Sequence, residues 1–127
     1  TLPSLAWIVS IPVGSLATAI LVVNNLRDIE TDRRAGKRTL AVRTGRRGAR
    51  LEWVALVAGA YCVTFVAWLG WDASVWVLLP WATLPMAISI GRRVLAETSG
   101  PALNGALAAT ARLGVFFSAL LALGLIA

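Results

Sequence analysis

Three oxygen-bearing side chains, Asn24, Asp28 and Asp32, recur at every fourth position of the stretch NNLRDIETDRRAGKRTLAVRTG. If the preceding helix continues through them, this spacing stacks all three on one face, a turn apart. Carboxylates so placed repel each other, so the row is either tolerated in water or held together for a cation. Taken alone, the pair reads as a solvated, mixed-charge loop. Its neighbours add a second reading: Arg33 and Arg34 follow within a turn, and then Gly36-Lys37-Arg38-Thr39. Magnesium binds through one or two carboxylates plus substrate phosphates, and Lys and Arg donors hold phosphate oxygens. Residues 24–50 carry both kinds of group.

What must position that stretch is apolar. Of 127 residues 58% are hydrophobic and 14% charged, with mean hydropathy +0.78, whereas a soluble domain carries roughly 25% charged residues. This is the composition of a membrane chain. A net charge of +6 would suit nucleic acid, but nine of the twelve Lys and Arg fall within residues 24–50, beside apolar segments. There the positive-inside rule accounts for them, and no nucleic-acid partner is expected. The chain has a single cysteine, Cys62, and no histidine. That excludes an intrachain disulfide, His-ligated zinc or haem, and a Ser-His hydrolase triad.

The expected fold is all-α, a polytopic transmembrane helical bundle with about four spans, over residues 5–23, 51–71, 75–90 and 104–127. At ~1.5 Å per residue, the first span covers most of a ~30 Å hydrocarbon core. Pro12 should kink it, and Gly14, Ser15 and Thr18 would allow close packing against another helix. Trp53, Trp68 and Trp71 sit near the ends of the second span, as interfacial tryptophans do. Pro80 and Pro85 should bend or locally unwind the third. The fourth carries one ionisable residue, Arg112, deep enough to be costly in lipid unless it snorkels or lines a cavity. Both basic connections, residues 24–50 and the Arg92-Arg93 segment, are expected on the cytoplasmic side. Thr1, the Asp72 turn and Ala127 then lie opposite. The chain opens on Thr1 without a signal-peptide pattern and reads as a piece of a longer protein.

The row Asn24-x-x-x-Asp28-x-x-x-Asp32, continued by Ala35-Gly36-Lys37-Arg38-Thr39-Leu40-Ala41-Val42-Arg43, resembles the second aspartate-rich motif of the UbiA superfamily of intramembrane aromatic prenyltransferases. The likeness is strongest to the 1,4-dihydroxy-2-naphthoate polyprenyltransferases of menaquinone synthesis. The stretch Ala102-Leu103-Asn104 to Thr110-Ala111 likewise resembles the start of their last helix. The resemblance implies that residues 1–127 are the C-terminal part of a single nine-helix prenyltransferase domain in the cell (inner) membrane. It implies Mg2+ as cofactor, with Asn24, Asp28 and Asp32 as metal-binding positions and Asp28 and Asp32 as catalytic. It also implies diphosphate contacts from Lys37, and from Arg38 and Arg43 as weaker candidates. Its partners would be a polyprenyl diphosphate, an aromatic acceptor, the bilayer, and N-terminal helices bearing the first aspartate-rich motif. Without that motif the 127 residues alone are expected to be inactive.

Two other readings stay open on the sequence. A UbiA-type enzyme could use another aromatic acceptor, such as a hydroxybenzoate, homogentisate or a porphyrin precursor. Alternatively, a non-catalytic membrane module could apply the basic stretch to anionic lipid. Such a loop, however, gains nothing from Asp28, Glu30 and Asp32 set among its cations. Arg112 is a further candidate, lining a reaction cavity and holding an anionic group.

Overall fold

The computed structural model describes residues 3–127, and Thr1, expected on the far side of the membrane, lies outside them. Helix α1 runs Ser4–Arg27, α2 is the short Ile29–Arg34, and α3 spans Leu40–Gly70. A 3-10 helix, Val75–Thr83, leads directly into α4, Leu84–Ala96, and α5 closes the chain as Gly100–Ile126. Among the described residues there is no strand. Four helical segments are long and apolar enough to cross a membrane: α1, α3, the 3-10 helix joined to α4, and α5. With large side chains such as Trp7, Leu21, Leu51, Val66, Val115 and Ile126 exposed on their outer surfaces, this is the architecture of a multi-pass membrane protein.

The helices are longer than hydropathy alone marks out. Residues 24–50 form no extended loop: α1 continues to Arg27, α2 follows, and α3 starts at Leu40, leaving a short non-helical turn before Thr39. Polar side chains do not by themselves end a helix, because the backbone hydrogen bonds that define it do not depend on side-chain polarity. Thr39 caps α3 by accepting a hydrogen bond from the Val42 N–H at 3.2 Å. Gly45, at φ +76°, breaks α3 near its start, so its first turn and its long membrane-spanning part are separate helical pieces.

Pro80 and Pro85 act as expected. The third span begins as a tight 3-10 helix containing Pro80 and becomes α-helical only from Leu84, with Pro85 in the first turn of α4. Its irregular part is held by side-chain hydroxyls. Thr83 Oγ1 donates to the Pro80 carbonyl at 2.6 Å and lies 2.7 Å from Tyr61 Oη, while Trp81 Nε1 donates to Thr64 Oγ1 at 3.0 Å. Non-helical backbone at membrane depth survives only when protein groups satisfy it in this way. Tyr61 also meets Trp81 and Phe117 edge-on, with ring centroids 5.7 and 5.2 Å apart.

Two expectations about packing are corrected. Gly14 makes no close helix contact, since a Cβ placed there would meet nothing within 4 Å among the described residues. The tight approach is instead at Gly124 of α5, where an added Cβ would collide with the Trp76 carbonyl of the 3-10 helix. Trp53, in turn, is no interfacial anchor. It is buried against Gly91 and donates from Nε1 to Thr110 Oγ1 at 3.3 Å, tying α3 to α5. An indole N–H in an apolar interior needs such a partner, and the hydroxyl supplies it.

One further clasp fixes the polar end of the bundle. Arg50 of α3 donates from Nε to the Val94 carbonyl at 3.1 Å and from Nη2 to the Glu97 carbonyl at 2.9 Å. Its guanidinium thereby satisfies carbonyls that the end of α4 leaves without helical donors.

Candidate active site

The acid row forms across a helix junction. Asp28 lies between α1 and α2 with φ −94° and ψ 11°, outside the regular helical range, so the two helices are not one continuous rod. The hydrogen bonding nevertheless steps through it, from the Asp28 N–H to the Asn24 carbonyl at 3.1 Å and from the Asp32 N–H to the Asp28 carbonyl at 2.8 Å. The one-turn spacing of Asn24, Asp28 and Asp32 is therefore kept, with a local change of backbone angle at its centre.

The ending of α2 returns a cation to this row. The Gly36 N–H donates to the Arg33 carbonyl at 3.2 Å and the Lys37 N–H to the Asp32 carbonyl at 2.9 Å, the paired bonds of a Schellman ending. Gly36 takes φ +75°, which a side chain would strain. The turn brings Lys37 Nζ to 3.6 Å from Asp32 Oδ1. Asp32 is nearly buried while Lys37 is largely exposed, so the ammonium covers the carboxylate from the solvent side. Arg38 and Arg43 are exposed, and among the described residues their guanidinium groups pair with neither aspartate.

Two residues that local spacing does not single out complete the arrangement. Arg27 Nε lies 2.7 Å from Asp28 Oδ1 and Nη2 lies 2.9 Å from Oδ2, a two-pronged pair. Nη2 also donates to Asn24 Oδ1 at 2.8 Å, and Nη1 to Asn104 Oδ1 at 2.8 Å. Four oxygens from three side chains thus surround a single guanidinium. The hydrogen bonds from Arg27 hold the Asp28 carboxyl below the usual carboxylate range; partial burial opposes the shift, and the charges of Arg27 and Lys37 add to it. Asp28 is accordingly an anion at neutral pH. The Asp28–Arg27 pair is present above the ordinary carboxylate range and is lost only as pH falls through the lowered value.

Arg27 is visible in the sequence three positions after Asn24, the spacing of helical neighbours, but there it reads as one more positive-inside charge. Asn104 carries no local signal, because its contact bridges 77 positions. Glu30 points away into another group, with Arg33 at 3.3 Å and Arg46 at 4.0 Å. Arg112 of α5 is exposed and pairs with no acid among the described residues.

The donor set suits a hard divalent cation in kind: two carboxylates and an amide oxygen, the ligand class magnesium takes alongside substrate phosphates. Among the described residues no three acids, cysteines or histidines converge into a complete protein cage.

Residues 1–113 match the family model described as UbiA prenyltransferase family. The chain belongs to that family. Among its relatives, the chain is 31% identical over 123 residues to the 1,4-dihydroxy-2-naphthoate octaprenyltransferase of Bacillus subtilis (strain 168), covering 94% of this chain and 38% of that protein. It is 35% identical over 112 residues to the Escherichia coli (strain K12) protein of the same name, covering 88% and 36%. Likeness to the UbiA prenyltransferase domain-containing protein 1 homolog of Drosophila melanogaster is 37% over 111 residues, covering 87% and 30%. The chain therefore spans well under half the length of these relatives. No solved structure matches it.

Proposed function

We propose that the enzyme containing this chain transfers a polyprenyl group from an allylic diphosphate to 1,4-dihydroxy-2-naphthoate, with Mg2+, in menaquinone biosynthesis. The observation that carries this reading is the juxtaposition of Asp28 and Asp32 one turn apart with Lys37 folded back onto Asp32. Family membership and the names of the bacterial relatives support it. In this reading residues 1–127 are part of one prenyltransferase domain, completed by helices bearing a first aspartate-rich motif. The protein sits in the cell membrane with residues 24–50 facing the cytoplasm.

Asn24, Asp28 and Asp32 would hold Mg2+ against the diphosphate, and Lys37 would meet phosphate oxygens directly. When bound, Mg2+ supplies positive charge to the departing diphosphate. As the allylic carbon–oxygen bond breaks, its electron pair leaves with the diphosphate, and the cations of residues 24–50 stabilise that developing charge. The allylic cation then forms a bond to the ring carbon that bears the acceptor's carboxylate, and the bond from that carbon to the carboxylate breaks, its electron pair restoring the aromatic ring as carbon dioxide leaves. Apolar helices keep water from intercepting the cation. The test is turnover of the full-length enzyme with polyprenyl diphosphate and 1,4-dihydroxy-2-naphthoate, with and without Mg2+. Absence of Mg2+-dependent prenylated product would overturn the assignment.

Two variants refine it. Lys37→Ala should raise the Michaelis constant for the diphosphate substrate more than that for the aromatic one, since a point cation acts on phosphate charge. Equal changes for both, or none, would make Lys37 a membrane-surface anchor only. Arg112→Leu should raise the Michaelis constant of one substrate, the one whose anionic group Arg112 holds. Unchanged kinetics with equal or higher thermal stability would mean that the guanidinium only snorkels to the interface.

A further inference from the structure

We infer that Arg27 and a divalent cation compete for Asp28 and Asn24, so that a cation binds there only as the guanidinium lets go of Asp28. This rests on the assignment of Asn24 and Asp28 as metal-binding positions. It goes beyond that assignment in giving the site two occupants that compete.

Both would draw on the same oxygens. Asp28 has two oxygens, and Arg27 takes each of them, at 2.7 and 2.9 Å. The same guanidinium takes Asn24 Oδ1 at 2.8 Å. A small cation seeking those oxygens would have to approach atoms already facing N–H donors, at a distance where a second positive charge is repelled. The arrangement is also reversible. The side chains of Arg27 and Asp28 are 29% and 32% exposed, so solvent screens the pair and releasing it costs far less than breaking a fully buried one.

Arg27 is placed for a stand-in rather than for an unrelated surface pair. Its third anchor, Asn104 Oδ1 at 2.8 Å, comes from α5, so the guanidinium links α5 to the acid row. Without Arg27, the carboxylate of Asp28 would face that of Asp32 one turn away with only Lys37 nearby to offset the charge. Removing Arg27 should therefore make the acid row less stable and more receptive to a divalent ion. A purely structural arginine would produce only the first effect.

The test is Mn2+ binding to the full-length enzyme in the absence of diphosphate, followed by electron paramagnetic resonance, together with the thermal midpoint measured as Mg2+ is added. Arg27→Gln is expected to tighten Mn2+ roughly tenfold, the size of a lost charge-assisted hydrogen bond. Its thermal midpoint should fall without divalent ion and recover more on adding Mg2+ than wild type gains. Should Arg27→Gln fail to fold, Asn104→Ala, which removes one anchor of the guanidinium, should shift Mn2+ affinity in the same direction by less. Unchanged or weaker Mn2+ binding in these variants, with binding lost in Asp28→Asn, would overturn the competition while leaving the metal assignment intact. Mn2+ binding indifferent to Asp28→Asn would overturn the metal assignment and this inference with it.

Discussion

Asp28→Asn and Asp32→Asn in the full-length enzyme are each expected to lower prenyl transfer at least ~100-fold, a few kcal/mol of transition-state stabilisation. The substitution keeps shape and removes charge. Asp28 would leave Arg27 facing a neutral amide, and Asp32 would lose its 3.6 Å partner Lys37. Neither change opens a cavity, so the folded fraction should hold while the catalytic rate falls. The two sites differ in one respect: Asp32 is nearly buried and Asp28 a third exposed, so Asn at 32 should be the more disturbing to local structure. The measurement is turnover at saturating Mg2+, with thermal midpoints as the control. Near-normal turnover of both variants would remove these aspartates from the reaction.

Gly124→Ala should be strongly damaging to the packing of α5 on the 3-10 helix. Alanine ordinarily favours a helix over glycine by up to ~1 kcal/mol, so the substitution would stabilise α5 if nothing stood in the way. At Gly124 the new Cβ runs into the Trp76 carbonyl, a backbone atom that cannot rotate aside. The 3-10 helix and α5 must separate, at a cost of about 1–3 kcal/mol. Gly14→Ala is the internal comparison, since its Cβ meets nothing within 4 Å among the described residues. Thermal unfolding in lipid nanodiscs should show a lower midpoint for Gly124→Ala and an unchanged or higher one for Gly14→Ala. A reversed order would mean that the close contact between α5 and the 3-10 helix does not form.

Much of this was legible in the sequence because membranes demand it. Long apolar runs, prolines that interrupt one of them, and a basic stretch beside them are each direct consequences of lipid as solvent. The Asn24-Asp28-Asp32 row was legible because helical spacing survives the junction at Asp28. Harder to see was anything set by contacts between helices. Hydropathy treats Trp53 as a boundary residue, yet its indole is used up by Thr110 fifty-seven positions later. Small residues at Gly14 and Gly124 look alike in sequence, and only the crossing of α5 over the 3-10 helix makes one of them essential. Arg27 was hidden for the same reason, since a charge near a helix end serves the membrane surface by default and reveals its partner Asn104 only in the folded chain.

The proline-bearing 3-10 helix also has a consequence for the order of synthesis. Pro80 has no N–H to offer the carbonyls of the preceding turn, and the Trp76 carbonyl is covered by Gly124, near the end of the last helix. The third span is thus made before the surface that shields it. At ribosomal rates the 27 residues of α5 take roughly 1 to 5 s to follow. For that interval the broken helix lacks its final neighbour, while α3, with Tyr61 facing Thr83, has already been made and can hold its irregular part.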